Sequence, residues 1–124
     1  MRKKLGNKTL LDRAAILSAT DAVYETVSVP EWGGDVRVRA ISAAARDDLE
    51  QAVFSAAQTK QPLRNFRARL AALCLVDDLG APLFTPDDVE VLGNKSAAAM
   101  ERVYRVAVRL NAMSAQDVEA LEKN

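Results

Sequence analysis

Hydrophobic and polar residues alternate along two short stretches near the start of the chain, residues 23–29 and 36–41. Both stretches are rich in β-branched residues, and this composition with a two-residue period is typical of β-strands. Pro30 ends the first stretch because it cannot donate to a strand ladder, and Gly33 and Gly34 permit the positive φ of a tight reversal. The pattern therefore predicts a β-hairpin with Trp32, the single tryptophan, at its tip.

Apolar residues recur at helical spacing over most of the remaining chain. Each predicted helix is preceded by a capping hydroxyl or carries a proline in its first turn, and Gly93 is expected to end one of them. The predicted helices cover residues 10–17, 43–58, 62–76, 86–93, 97–113 and 115–122, the fifth being the longest. The expected caps and first-turn prolines are Thr9, Ser42, Pro62, Thr85 with Pro86, Ser96 and Ser114.

Residues 77–84 break this helical pattern. Asp77, Gly80 and Pro82 supply turn chemistry and predict a small second hairpin between two very short extended pieces. With the early hairpin and the helices, this indicates an α+β fold, a mainly helical single domain over residues 1–124. Residues 1–8 are expected to be a loose basic arm.

Composition excludes several classes of function. Seventeen basic and seventeen acidic residues cancel, which disfavours nucleic acid or an anionic membrane as the main partner. The single cysteine, Cys74, cannot form an intramolecular disulfide and fits a reduced cytoplasmic compartment. No signal peptide or membrane span is predicted. Histidine is absent, so Ser-His, Cys-His and zinc chemistry are excluded and no cofactor is expected.

Three pairs of adjacent aspartates could together imitate a magnesium-dependent nuclease site. Two pairs lie where carboxylates favour the start of a helix and the third lies in a turn, so the structural interpretation is preferred. We expect no metal site. The pairs are Asp47 with Asp48, Asp77 with Asp78, and Asp87 with Asp88.

Two features remain as candidate partner-binding sites. Trp32 with Gly33 and Gly34 could anchor a protein partner, although Trp32 could equally fold back onto the core. A basic stripe on the long helix could bind phosphate, but zero net charge favours a solvated face or an acidic protein partner. The stripe consists of Arg102, Arg105 and Arg109. Met100, Val103, Ala107 and Leu110 on the same helix form either core or a seam for weak self-association.

The order of several segments resembles the tail assembly chaperones of long-tailed bacteriophages, from about residue 26 onward. The resemblance rests on residues 29–34 (VPEWGG), 36–39 (VRVR), 67–77, 80–84 (GAPLF) and 117–124 (DVEALEKN). It implies a non-enzymatic chaperone, from a phage or prophage, that binds and solubilises the tape measure protein in the host cytoplasm and is absent from the mature virion.

The resemblance also implies a longer product, made by a −1 ribosomal frameshift, that recruits the tail tube protein. The ending Glu122, Lys123, Asn124 can be encoded as GAA AAA AAC, which contains a slippery heptamer; it could also simply end the last helix with polar residues. The alternative functions are a structural head-tail connector or tail terminator subunit of the virion, and a small metal-dependent nuclease.

Overall fold

The computed structural model describes residues 3–5, 8–61 and 63–113, with side chains from residue 9 onward. Five strands and five α-helices follow one another along this part of the chain. They are β1 (Lys3–Leu5), β2 (Lys8–Leu10), α1 (Arg13–Ser18), β3 (Tyr24–Val29), β4 (Gly34–Arg39), α2 (Ala43–Gln58), α3 (Phe66–Cys74), β5 (Leu75–Val76), α4 (Val89–Gly93) and α5 (Ala97–Leu110). The predicted mainly helical α+β fold is confirmed.

The predicted early hairpin is confirmed as β3 and β4, which pair antiparallel from Tyr24 opposite Arg39 to Val29 opposite Gly34. A third strand, β5, pairs antiparallel with the other edge of β4. Residues 75–76 were predicted to be the end of the third helix, and this prediction was wrong. That helix ends at Cys74, and the next two residues complete the sheet.

The predicted second hairpin is also confirmed in outline. Val76 bridges Pro82, and the Asp77 N–H donates to the Ala81 carbonyl at 2.8 Å. The Asp77 carboxylate accepts from the N–H groups of Leu79 and Ala81 and so holds the turn. Gly80 adopts a positive φ of 86° there, which only glycine adopts without strain.

Three helix starts follow local capping chemistry as predicted. The Ser42 hydroxyl accepts from the Ala45 N–H at the start of α2, and the Ser96 hydroxyl accepts from the Ala99 N–H at the start of α5. Thr85 begins a turn of 3₁₀ helix, Pro86–Asp88, which continues directly into α4. Gly93 is the last residue of α4, as predicted.

Three other predictions about helices were wrong. Asp12, rather than Thr9, caps α1, because its carboxylate accepts from the Ala15 N–H while residues 8–10 are paired in an extended strand. α3 begins at Phe66 because Asn65 has a left-handed φ of 57°, which interrupts any helix from position 62. Among the described helices, α2 with 16 residues is longer than α5 with 14.

The core lies around α3, which packs between α4 and α5, while α5 also packs on β3 and β4. Leu70 and Leu75 are among its largest fully buried side chains. The proposed seam on α5 is part of this core, since Met100, Val103 and Ala107 are buried. The interpretation of that stripe as core is therefore correct for these three residues, while Leu110 is half-buried and self-association stays a prediction.

α1 buries little of its surface. The apolar residues that recur at helical spacing here are mostly exposed, and in α1 only Ala15 is buried. Among the described residues, no helix is long and apolar enough to span a bilayer. The last predicted helix, residues 115–122 with its cap Ser114, lies outside the described residues, as do the frameshift positions.

Candidate partner-binding groove

The turn between β3 and β4 is a single turn of 3₁₀ helix, Pro30–Trp32, that ends at Gly33. The Gly33 N–H donates to the Pro30 carbonyl at 3.0 Å, and Gly33 adopts a φ of 77°. This left-handed conformation is strained for a residue with a Cβ, so the turn requires glycine there. Gly34 begins β4 without a positive φ, so only one of the two predicted glycines reverses the chain.

Trp32 is half-buried and has two environments. Part of the side chain packs against the hydrophobic core. The remainder lines an open groove. The interpretation of Trp32 as a core residue is therefore correct for the inward part, and its role as a partner anchor stays a prediction.

The groove beside Trp32, which we call the Trp32 groove, has a volume of about 420 Å³. Its walls come from three separate segments: the β3–β4 turn, the stretch after the second hairpin, and one face of α4. The lining residues are Trp32, Phe84, Asp88, Val91, Leu92 and Lys95.

Capping contacts at the start of α4 stabilise the helix that forms this wall of the groove. The Asp88 carboxylate accepts from the Thr85 N–H at 2.8 Å and from the Thr85 hydroxyl at 3.4 Å, which closes a capping box. With the helix fixed in this way, Val91 presents an apolar side chain that is 64% exposed, while Leu92 is buried. The groove is therefore apolar, with one acid and one base at its rim.

A second apolar groove adjoins the first. It has a volume of about 270 Å³, lies between α2 and α3, and is lined in part by Leu49, Leu73 and Val89. Phe84 lines both grooves. The nearby Leu83 is 51% exposed. The two grooves therefore form one apolar strip that is continuous through Phe84.

The three arginines of the predicted stripe all form ion pairs within the chain. Arg102 Nε lies 2.9 Å from Glu31 Oε1, Arg105 Nε lies 3.3 Å from Glu101 Oε1, and Arg109 pairs with Glu25. Two of these pairs connect α5 to the hairpin. The stripe thus has an internal structural role, and contact with an acidic partner stays a prediction.

The ion pair between Arg102 and Glu31 at the hairpin turn also affects the ionisation of Glu31. Hydrogen bonding to Arg102 favours the carboxylate and lowers the pKa of Glu31 below its ordinary value. Glu31 is adjacent to Trp32, so this charge-assisted contact ties the tryptophan turn to α5.

The aspartate pairs have structural positions. Asp47 and Asp48 lie in the early part of α2, Asp77 holds a turn and Asp88 is a cap. Among residues 3–5, 8–61 and 63–113, no group of three or more Cys, Asp or Glu side chains is placed to hold a metal ion.

Cys74 is fully buried at the end of α3. Burial raises the pKa of its thiol to about 11, against the smaller opposing effects of Asn111 and Arg39. The thiol is therefore protonated at neutral pH and unsuited to act as a nucleophile. Asn111, which donates to this sulfur at 3.7 Å, is a buried polar residue that sequence reasoning missed.

Comparison with known proteins gives two matches. A family model described as "Phage tail assembly chaperone" matches residues 12–124. The solved structure of the bacteriophage HK97 tail assembly chaperone is similar at 25% sequence identity, with a TM-score of 0.57 over 79% of this chain and 89% of that chain. No curated protein matches this sequence.

Proposed function

Because this chain belongs to the phage tail assembly chaperone family, we propose that it binds the tape measure protein and keeps it soluble while the tail is built. The observation that carries the proposal is the Trp32 groove. A chaperone of a long, partly apolar helical protein needs accessible apolar surface, and a groove that receives the apolar face of a helix is a common way to bind one.

The groove has the features of such an anchor site. An aromatic side chain at the centre of a contact commonly carries much of the binding energy, while polar groups at the rim orient the partner. Trp32 supplies the aromatic surface, and Asp88 and Lys95 supply the rim. The adjoining groove beyond Phe84 extends the apolar strip, so that several weak contacts can act together.

The first experiment is co-expression with the tape measure protein encoded by the same phage or prophage. We expect the tape measure protein to appear in the soluble fraction with this chain and in the pellet without it. Equal insolubility in both cases would contradict the proposal.

The second experiment places the client at the groove. Trp32→Ala and Val91→Asp should each weaken client binding by about 2 kcal/mol or more, since both change the apolar surface of the groove. Phe54→Asp is the matched control, because Phe54 on α2 is exposed to a similar degree, 58% against 64% for Val91, and does not line the Trp32 groove.

Each variant's melting temperature separates binding from folding. Val91→Asp should leave it nearly unchanged, because the side chain is exposed. If Trp32→Ala lowers only the melting temperature, or if Phe54→Asp weakens binding as much as Val91→Asp, the groove is not the anchor.

Two further parts of the proposal concern the life of the protein in the infected cell. It acts in the host cytoplasm and is absent from the mature virion, and a longer frameshifted form recruits the tail tube protein. Mass spectrometry of purified particles should not detect this chain. Its presence in stoichiometric amount would instead favour a connector or terminator subunit. Synonymous recoding of the Lys123 codon to AAG should abolish the longer form and leave the short form intact.

A further inference from the structure

β3 is an edge strand, because it pairs with β4 on one side only. The Ala40 N–H donates to the Val23 carbonyl at 2.9 Å, which shows which residues of this strand bond to β4. In an antiparallel pair, alternate residues direct both their N–H and C=O groups toward the neighbouring strand. The residues of β3 that direct these groups away from β4 are therefore Tyr24, Thr26 and Ser28.

The outward backbone groups of β3 have no hydrogen-bond partner among residues 3–5, 8–61 and 63–113. Proteins commonly protect such an edge with a proline, a lysine, a bulge or a covering segment. β3 has none of the first three, since its six residues pair with β4 without interruption and Glu25 is its one charged residue. The three outward residues also have exposed side chains. β3 thus presents a regular strand to which a further strand can be added.

The outward residues are arranged symmetrically about Thr26. When a second copy of β3 lies antiparallel with Thr26 opposite Thr26, Tyr24 of each copy lies opposite Ser28 of the other. Every outward N–H group then faces an outward C=O group, which is the hydrogen-bonded pairing of an antiparallel ladder. A shift by one residue loses these bonds, and a shift by two leaves the end residues unpaired. The strand is therefore complementary to itself in the centred register.

The side chains also match in this register. Thr26 meets Thr26 of the second copy, and cross-strand threonine pairs stabilise a sheet. On the face toward α5, Glu25 of one copy lies opposite Val27 of the other, so no two like charges are directly opposed. Both residues are half-buried within one chain, and strand pairing would cover them further.

The basic stripe of α5 lies beside the same edge. α5 runs antiparallel to β3, because Arg102 pairs with Glu31 just beyond the end of the strand and Arg109 pairs with Glu25 near its start. Arg105 lies between these two arginines along the helix, and its side chain is 78% exposed. The stripe therefore follows the length of β3.

Glu25 of a second copy would supply an acidic group to this stripe. Because it lies opposite Val27, it is level with the middle of the stripe, beside Arg105. Within its own chain Arg105 has a shared partner, since Glu101 also pairs with Arg67. A carboxylate from the second copy thus complements an arginine that lacks a carboxylate of its own.

We propose that two copies of this chain pair through their β3 edges, antiparallel and centred on Thr26, to form one continuous six-stranded sheet. Both copies use the same surface, so the contact is isologous and closes at two chains. It involves neither the N-terminal strands nor the Trp32 groove, which stays open on each copy. The paired strands are short, so the association is weak and reversible.

A disulfide tests the register. Thr26→Cys places two thiols opposite each other with Cα atoms about 5.5 Å apart, within the range that a disulfide spans. Ser28→Cys is the matched control on the same exposed face, because its two copies would be four positions out of register, about 13 Å apart along the strands. With oxidised glutathione as the oxidant, Thr26→Cys should form a covalent dimer at least ~10-fold faster than Ser28→Cys. Cys74 is buried and is present in both variants. Equal rates for the two variants, or no covalent dimer of Thr26→Cys, overturn the proposal.

Charge exchange at Thr26 gives an independent readout, by sedimentation of the full-length protein without any client. Thr26→Lys and Thr26→Glu each place like charges opposite one another and should weaken association about 5-fold or more. An equimolar mixture of the two variants places opposite charges there and should associate more tightly than either variant alone. Ser28→Lys, which adds a charge to the same face opposite Tyr24, is the matched control and should have a smaller effect.

Two results would contradict pairing at Thr26: charged variants that associate like wild type, or a mixture that associates no more tightly than its components. Because Thr26 is exposed, the circular dichroism of each variant should match wild type. If a charged variant fails to fold, the cross-linking comparison decides, since cysteine is close to threonine in size. None of these measurements uses the tape measure protein, so this inference and the proposed function can fail separately.

Discussion

Replacing Asn111 by alanine should be among the most destabilising single changes of a polar residue in the described chain. Asn111 follows α5 and is 9% exposed. Its side-chain oxygen accepts from the Ile41 N–H at 2.7 Å, and its amide donates to the Ala107 carbonyl at 2.7 Å. The Asn111 main-chain carbonyl accepts from Arg46 at 2.8 Å. One residue thus connects the end of the hairpin, α2 and α5.

The magnitude follows from what each lost bond leaves behind. Without the Asn111 side chain, the partly buried Ile41 N–H loses its acceptor, which costs about 1–3 kcal/mol. The Ala107 carbonyl still accepts from the Asn111 main-chain N–H, so the second loss is the ordinary net value of about 1 kcal/mol. The sum is about 2–4 kcal/mol, a large part of the roughly 5–15 kcal/mol by which domains are stable.

Urea unfolding followed by circular dichroism measures this change as a lower midpoint with an unchanged slope. Asn94→Ala is the matched control, because Asn94 also follows a helix with nearly the same backbone angles but is exposed. The control should stay within about 0.5 kcal/mol of wild type. Equal effects of the two substitutions would refute the reasoning.

Three other predictions test separate parts of the structure. Burial raises the pKa of the Cys74 thiol from an ordinary value of 9.0 to about 11. The protonated thiol therefore contributes fully to the unfolding free energy below pH 9, and this contribution is lost as the pH rises toward 11. Cys74→Ala should remove this part of the fall in unfolding free energy at alkaline pH. Gly93→Ala should destabilise, because the new Cβ would lie 2.7 Å from Asn65 Oδ1, whereas on an Asn65→Gly background it should be neutral or stabilising, as helix propensity alone predicts. Gly33→Ala should destabilise through its φ of 77° although the space around it is open, and Gly34→Ala should cost less, which paired melting curves can check.

Much of the local structure was predictable from the sequence. The strands on either side of Trp32, the caps at Ser42 and Ser96 and the start at Thr85 all depend on groups within a few positions of one another. Capping hydroxyls, prolines and alternating β-branched residues carry their conformational preference with them, so a local pattern is sufficient. The family was also recognisable from the order of such segments.

The tertiary structure decided where local preference competes with a distant partner. Residues 75–76 have no strong local preference between the end of a helix and a strand, and the free edge of β4 selects the strand. Asn65 interrupts the expected helix with a left-handed conformation. The first helix has a regular apolar face, but α1 packs little of it on the domain.

The candidate site also depends on the tertiary structure rather than on local preference. Trp32 is far in sequence from Phe84 and Val91, and the three form one groove only when the hairpin turn and α4 are brought together. The Arg102–Glu31 and Arg109–Glu25 pairs join residues 71 and 84 positions apart, which no periodicity encodes. Helix spacing fixes which side chains share a face, whereas the partner of that face depends on how the whole core packs.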